Sequence, residues 1–410
     1  MENIGTYVIY LIMVCAVIGA IASIYNPESE LGKEFTAGIN SIGPIFLPVA
    51  GIMAAIPYIS QFISVFIAPV FQAMGADAGI AGPIFIAADL GGYQLAQALS
   101  SSPEGWIVGL ITGFQCGSTV IFVIPVGLAM LDKRDHKYMA LGIMAGLLSI
   151  PVSIIMIALL MQGMGLNVRP DIATTGIPTQ ALHFTLTGLI QNLMPLILFC
   201  CALAAALRYL PNLMVAIFLK LGQLMYALVT LVLVASIVEY FTGFFSSTFG
   251  RWGFAPIIAD KEDQMRALEI AGYVSIMLCG AFPMVWLIKR YLSGPIEKVA
   301  GRVGLSPVGA AGILAASANI LAMFRLLAGM PPKDKVLVVA FAVCAAFTFG
   351  DHLAYSANFQ PSIILPLIIG KLVGGVIGMG LAWWLAVPKA IELGQQDESE
   401  RRFSAAPGLS

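Results

Sequence analysis

Lys335-Val-Leu-Val-Val-Ala-Phe341-Ala-Val-Cys344-Ala-Ala-Phe347-Thr-Phe-Gly350-Asp351-His352-Leu-Ala-Tyr355 runs fifteen residues without a charge and then places an aspartate and a histidine directly after a glycine. A helix over 335–355 would reach about 30 Å at about 1.5 Å per residue, the thickness of a bilayer's hydrocarbon core. The stretch therefore predicts a membrane segment interrupted by charge near one end. Similar apolar stretches recur at 4–24, 42–74, 80–99, 106–131, 138–161, 182–207, 217–240, 266–288, 307–329 and 361–387. The whole chain of 410 residues is 59% hydrophobic and only 10% charged, against about 25% charged in soluble proteins. These features predict an all-α polytopic membrane protein of about 10 to 12 segments, some broken or re-entrant.

The composition also excludes several functions. A net charge of -1 leaves no basic surface for nucleic acid. No phosphate-binding loop, HExxH motif or nucleophile set marks an enzyme. Cys15, Cys116, Cys200, Cys201, Cys279 and Cys344 lie in apolar stretches, where cysteine acts as a small hydrophobe. His136, His183 and His352 lack partners at metal-ligand spacing, so neither a metal nor a cofactor is expected. The expected surroundings are the lipid bilayer and a small-molecule ligand, and a homo-oligomer is compatible with them.

Orientation follows from loop charge, because Lys and Arg are retained on the cytoplasmic side. Lys133, Arg134 and Lys137 in one loop, Arg208 and Lys220 in a second, and Lys289, Arg290, Lys298 and Arg302 in a third alternate as cytoplasmic. The loops at 162–181 and 241–265 then lie outside. A full crossing by 307–329 would put Lys333, Lys335, Lys389, Arg401 and Arg402 outside too. A re-entrant hairpin at 307–329 removes that conflict. The 42–74 stretch, with Pro44, Pro48 and Pro57, suits a kinked or re-entrant element. The chain from 1 to 387 reads as one transmembrane domain, and the polar tail from 388 to 410 is expected to be disordered.

Three ordered blocks match between the two ends. Ala50-Gly-Ile-Met-Ala-Ala55 resembles Ala311-Gly-Ile-Leu-Ala-Ala316; Asp89-Leu-Gly-Gly-Tyr93 resembles Asp351-His-Leu-Ala-Tyr355; Leu110-Ile-Thr-Gly113 and Gly117 resemble Leu367-Ile-Ile-Gly370 and Gly374. An internal repeat relating 42–131 to 307–387, joined by linking spans over 138–288, is expected. Secondary transporters build midplane substrate sites from duplicated, interrupted helices of this kind.

Charge inside a bilayer costs at least about 2.5 to 3.5 kcal/mol, so each instance needs a reason. Asp89 beside Gly91 and Gly92, and Asp351 beside Gly350, either cap broken helices or face a cavity that takes an organic cation. Tyr93 and Tyr355 follow their aspartates by four residues, which on a helix brings them to the same face. Lys371 reads as the counter-ion of the two carboxylates. His352 either fixes a carboxylate or titrates and couples transport to protons. Asn319 and Gln115 either bond between helices or bind a neutral hydroxyl, and Asn358 joins the residues expected to orient such a group. Arg325 is read as snorkelling to the interface. Trp106, Trp286, Trp383 and Trp384 sit near span ends as interfacial belts do, which leaves too few mid-depth aromatics for a quaternary-ammonium cage.

At these residues the chain resembles the bacterial ethanolamine utilisation permeases, the EutH family. The likeness rests on Asp89-Leu-Gly-Gly92, Ile124-Pro-Val126, Tyr138-Met-Ala-Leu-Gly-Ile-Met-Ala-Gly146 and Leu278-Cys-Gly-Ala-Phe-Pro-Met-Val285. It is strongest in Phe341 to Leu353 and in Ile369-Gly-Lys371-Leu-Val-Gly-Gly375. The resemblance implies a multi-pass protein of the bacterial cytoplasmic membrane that takes up ethanolamine by secondary or facilitated transport. Ethanolamine is a primary ammonium with one hydroxyl, which fits the charge argument. The residues expected to hold it are Asp89, Tyr93, Asn319, Asp351, His352, Tyr355, Asn358 and Lys371, with backbone breaks at Gly91, Gly92 and Gly350. The alternative is a proton- or sodium-coupled carrier of another small amine, an amino acid or a nucleoside.

Overall fold

In hydrocarbon every backbone N–H and C=O must be satisfied within the protein, which favours helices. The computed structural model describes residues 3–302 and 304–405, and regular structure among them is helical apart from one isolated bridge between Val168 and Gln180. Six helices are long and apolar enough to cross a bilayer: Ile4–Tyr25, Glu30–Phe66, Pro103–Met130, Pro211–Thr242, Ala267–Tyr291 and Pro361–Leu385. Two bent pairs, Lys133–Leu147 with Ile150–Gly163 (41°) and Leu186–Asn192 with Met194–Tyr209 (53°), also pass by length and composition. A third pair, Ser293–Arg302 with Pro307–Ala318, turns by 119°. Helices meet closely where glycines remove the side chain: a Cβ on Gly146 would lie 2.7 Å from the carbonyl oxygen of Ala340.

Two of the apolar stretches are broken into short helices. At 307–329 the helix Pro307–Ala318 stops at Asn319, and Ile320–Leu327 follows. The ends of this stretch meet again, because the Ser306 N–H donates to Asp334 Oδ2 at 2.8 Å and the Lys333 ammonium donates to the Gly304 carbonyl. Lys335 in turn lies 2.5 Å from Asp135, in the loop predicted to be cytoplasmic. Both ends of the segment therefore lie beside the Asp135 loop, the arrangement a re-entrant hairpin at 307–329 would give.

The stretch 80–99 is also a hairpin. The Asp77 carboxylate accepts from the Gly79 N–H (2.7 Å), the Ser101 hydroxyl (2.8 Å) and the Ser102 hydroxyl (3.1 Å), tying its two ends together. The Asp77 N–H donates to Asn192 Oδ1 at 2.7 Å, and the His183 N–H donates to Glu104 Oε1 at 3.0 Å, so this mouth lies beside the outer loop at 162–181. Between the ends, turns at Ala78–Ile80 and Ala88–Leu90 precede a helix of only 8 residues, Gly92–Leu99. That helix is about 12 Å long and cannot span. The mouths of the two hairpins thus lie at opposite ends of the long helix Pro103–Met130.

Two further expectations change. The 42–74 stretch does not re-enter: Ile42–Phe66 continues a 37-residue span from Glu30 with Pro48 and Pro57 inside it. Neighbouring helices supply what prolines remove in a membrane. The tail, expected as disordered, is helical over Val387–Ala405. Its polar side chains find partners that composition does not reveal, since Asp397 accepts from Lys137 (2.6 Å) and from the Tyr138 hydroxyl (2.8 Å). Residues 406–410 of that expectation lie outside the described residues.

Candidate functional site

Each expected aspartate sits where a helix is broken by a local steric demand. Gly91 adopts φ +102°, a left-handed conformation that places Asp89 on a short turn ahead of Gly92–Leu99. Asp351 opens the helix Asp351–Phe359 after a non-helical break at Ala346–Gly350. A Cβ on Gly350 would lie 2.3 Å from the Ala318 carbonyl oxygen. The Phe347 and Phe349 N–H groups donate to Ala316 (3.2 Å) and Ser317 (2.8 Å), so this break is bonded to the end of the cytoplasmic hairpin's first helix. Phe347 itself is held at φ +60°, rare for a bulky residue and found where the surroundings over-determine the backbone.

The breaks converge on a cavity of about 1120 Å³. Asp89, Asn319, Asp351 and His352 line it, so both hairpins contribute, together with Ser118, Gln223 and Tyr226. Asp89 Oδ1 lies 4.0 Å from His352 Nε2. Asp89 Oδ1 and His352 Nδ1 are both buried without a hydrogen-bond partner. Orphaned buried polar atoms carry a desolvation cost and point to a group that completes them. Asn40 and Ser41 also line it, and the rest of the wall is apolar, with Ile52, Phe122, Phe282 and Phe347 among its members.

Four other expected residues lie outside the cavity lining. Tyr93 and Tyr355 are buried one helical turn beyond the aspartates, their rings edge to face at 6.1 Å. The Tyr93 hydroxyl accepts from Gln360 Nε2 at 2.8 Å and the Tyr355 hydroxyl from Gln94 Nε2 at 3.3 Å. Asn358 Nδ2 donates to the carbonyls of Ala354 (2.8 Å) and Tyr273 (3.0 Å), which fastens its helix to Ala267–Arg302.

Lys371 is not a counter-ion in contact with either aspartate. Its ammonium is 1% exposed and donates to the Phe114 carbonyl at 3.1 Å. The reason lies in the π-helical turn Gly113–Gly117, whose looser pitch frees carbonyls from the usual ladder. The Phe114 ring packs against His352, 4.7 Å between centroids, and so stands by the carboxylate end. No described ion pair other than the long Asp89–His352 contact reaches the two carboxylates.

Several participants were not anticipated. Gln223 and Tyr226 are three apart in an apolar span, a spacing that puts both on one face and that the sequence did display. Trp106, read as interfacial, is buried within the protein, stacks on Tyr93 at 4.9 Å and donates to the Tyr93 carbonyl. These rings and Tyr355 with Phe359 form a buried aromatic cluster one turn beyond the carboxylates. Gln115, by contrast, bonds between helices, donating to Ser153 Oγ at 2.8 Å.

Comparison with known proteins bears on this arrangement. The sequence pattern of the family described as "Ethanolamine utilisation protein, EutH" matches residues 4–385. A Listeria monocytogenes protein named "Probable ethanolamine permease EutH" is 33% identical over 385 residues, covering 94% of this chain and 95% of that protein. The Escherichia coli K12 protein of the same name is 32% identical over 420 residues, covering 97% and 98%. Bacillus subtilis YxeR, named as uncharacterized, is 28% identical over 98% of this chain and 99% of its own. No solved structure matches this fold.

Proposed function

The chain belongs to the ethanolamine utilisation protein EutH family, and on that footing we propose that it carries ethanolamine, as the protonated amine, across the bacterial cytoplasmic membrane. The observation that carries the reading is a cavity lined by two carboxylates, Asp89 and Asp351, neither of which forms an ion pair with a Lys or Arg among the described residues. Such a site attracts a monocation in a medium of low polarity. Asp89 and Asp351 hold the ammonium, with His352 beside them. Asn319 Oδ1 is already engaged by the Leu321 N–H at 2.8 Å, which leaves its amide N–H₂ to meet the substrate hydroxyl. The hairpins open to opposite faces and meet at this cavity, an arrangement suited to alternating access. An amino acid or nucleoside is a poorer fit, because Lys371 does not reach the cavity to take a carboxylate.

Uptake of labelled ethanolamine into vesicles containing the purified protein tests the reading. Saturable uptake is expected, competed by propylamine and not by ethylene glycol. Uptake no faster than in protein-free vesicles, with or without sodium and proton gradients, contradicts it. Uptake without any gradient identifies a facilitator, and uptake only with one identifies a coupled carrier.

A further inference from the structure

The two helices that begin near the aspartates both run toward the outer face, Gly92–Leu99 to the Asp77 mouth and Asp351–Phe359 to the loop at 162–181. One turn along them, Tyr93 and Tyr355 meet and are covered by Trp106 and Phe359, at 4.9 and 4.6 Å. None of these four rings lines the cavity, which runs the other way, to Ala129 and Leu219. Leu219 lies in the first third of the helix Pro211–Thr242, whose start follows Arg208 in the turn read as cytoplasmic, and Ala129 lies just before the loop of Lys133. The cavity therefore reaches toward the cytoplasm, and the aromatic layer seals it from outside.

Two side-chain bonds cross that layer between the outer hairpin and the Asp351 helix: Gln360 to the Tyr93 hydroxyl and Gln94 to the Tyr355 hydroxyl. Gln360 is anchored from beyond. Its amide donates to the Arg169 carbonyl (3.0 Å), and its Oε1 accepts from the Arg169 N–H (2.9 Å). The Arg169 guanidinium, buried although it lies in an external loop, donates to the carbonyls of Asn358 (2.7 Å), Ala173 (2.9 Å) and Gly176 (3.2 Å). A cation over the last carbonyls of a helix satisfies them and complements the helix dipole. The loop is thereby strapped across the end of the helix that starts with Asp351.

We propose that Gln360 and Arg169 form the extracellular gate of the transport path, closing it through Tyr93. The inference rests on the transport reading above. Opening to the outside breaks single neutral hydrogen bonds at the two tyrosines and withdraws the strap, without exposing an ion pair. Gln360 and Arg169 are positioning residues, acting on access and not on the substrate directly.

The test is side-specific thiol labelling. Ile121→Cys places a reporter in the cavity wall, in a background where the exposed Cys201 is serine. A membrane-impermeant thiol reagent is applied to right-side-out and to inside-out vesicles. With the gate intact, labelling is expected from the cytoplasmic side and slow from outside. Gln360→Met, Arg169→Met and the milder Tyr93→Phe should each raise the outside rate, the first two by about tenfold, as loss of state-specific bonds shifts the population. An unchanged outside rate in Gln360→Met, with normal labelling from the cytoplasmic side to show an intact protein, overturns the gate. Labelling does not depend on the substrate. A shifted rate in a protein that moves no ethanolamine would leave the gate standing and remove the ethanolamine reading; normal uptake with unshifted labelling would do the reverse.

Discussion

Asp351→Asn should lower ethanolamine uptake by about 30-fold or more while the protein remains folded in the membrane. The substitution keeps the volume and removes the charge. Taking one member from a desolvated, hydrogen-bonded charge pair costs about 2 to 5 kcal/mol, and every 1.4 kcal/mol is about tenfold in affinity. No Lys or Arg contacts this carboxylate among the described residues, so the neutral amide strands no partner within the protein. Stability should stay level or rise slightly as a buried charge disappears. The check is initial uptake rate against substrate concentration, beside thermal unfolding in detergent. Normal uptake by the Asn variant would remove Asp351 from the site.

Gly350→Ala is expected to be nearly as damaging, for a different reason. The added Cβ would lie 2.3 Å from the Ala318 carbonyl oxygen, and that oxygen is backbone and cannot swing aside as a side-chain tip would. One of two broken helices must move, and they are bonded through Phe347 to Ala316 and Phe349 to Ser317. Overpacking of this kind costs about 1 to 3 kcal/mol. Misplacing a functional group by about 1 Å can cost about 100-fold in an enzyme, and the same demand on geometry applies to a binding site built on broken backbone. Uptake should fall by more than tenfold, with a lower unfolding temperature. An unchanged uptake rate would show that the junction of the two breaks does not position the carboxylates. The same substitution at the exposed Gly163, where nothing lies within 4 Å, should be silent.

Much of this was legible in the sequence because membrane insertion imposes simple rules. Apolar length gave the spans, and an aspartate beside glycine inside such a span gave both breaks. The loop charges also pointed to a hairpin at 307–329, since a crossing there would strand five basic residues outside. The hairpin at 80–99 left no such trace: it carries no Lys or Arg, and its closure depends on Asp77 meeting Ser101 and Ser102 across the turn. Spacing set Tyr93 and Tyr355 one turn from their aspartates, but it carried no sign that their hydroxyls pair with Gln360 and Gln94 outside the cavity lining. Lys371 shows the same limit. Its depth was readable, whereas its partner is a carbonyl freed by a π-helical turn, a feature without a composition signal. Arg169 looked like an ordinary loop charge because its partners, Asn358 and Gln360, are about 190 residues away in sequence.

If Asp89 and Asp351 together hold the ammonium, binding must depend on both charges. Calorimetric titration of ethanolamine into the purified protein tests it most directly, with the unsubstituted chain, Asp89→Asn, Asp351→Asn and the double variant compared under one buffer. Saturable binding to the unsubstituted protein is expected, with weaker binding to each single variant and none to the double, while ethylene glycol, which has the hydroxyl without the charge, does not bind at all. Equal binding of ethanolamine by the double variant and the unsubstituted protein would contradict it.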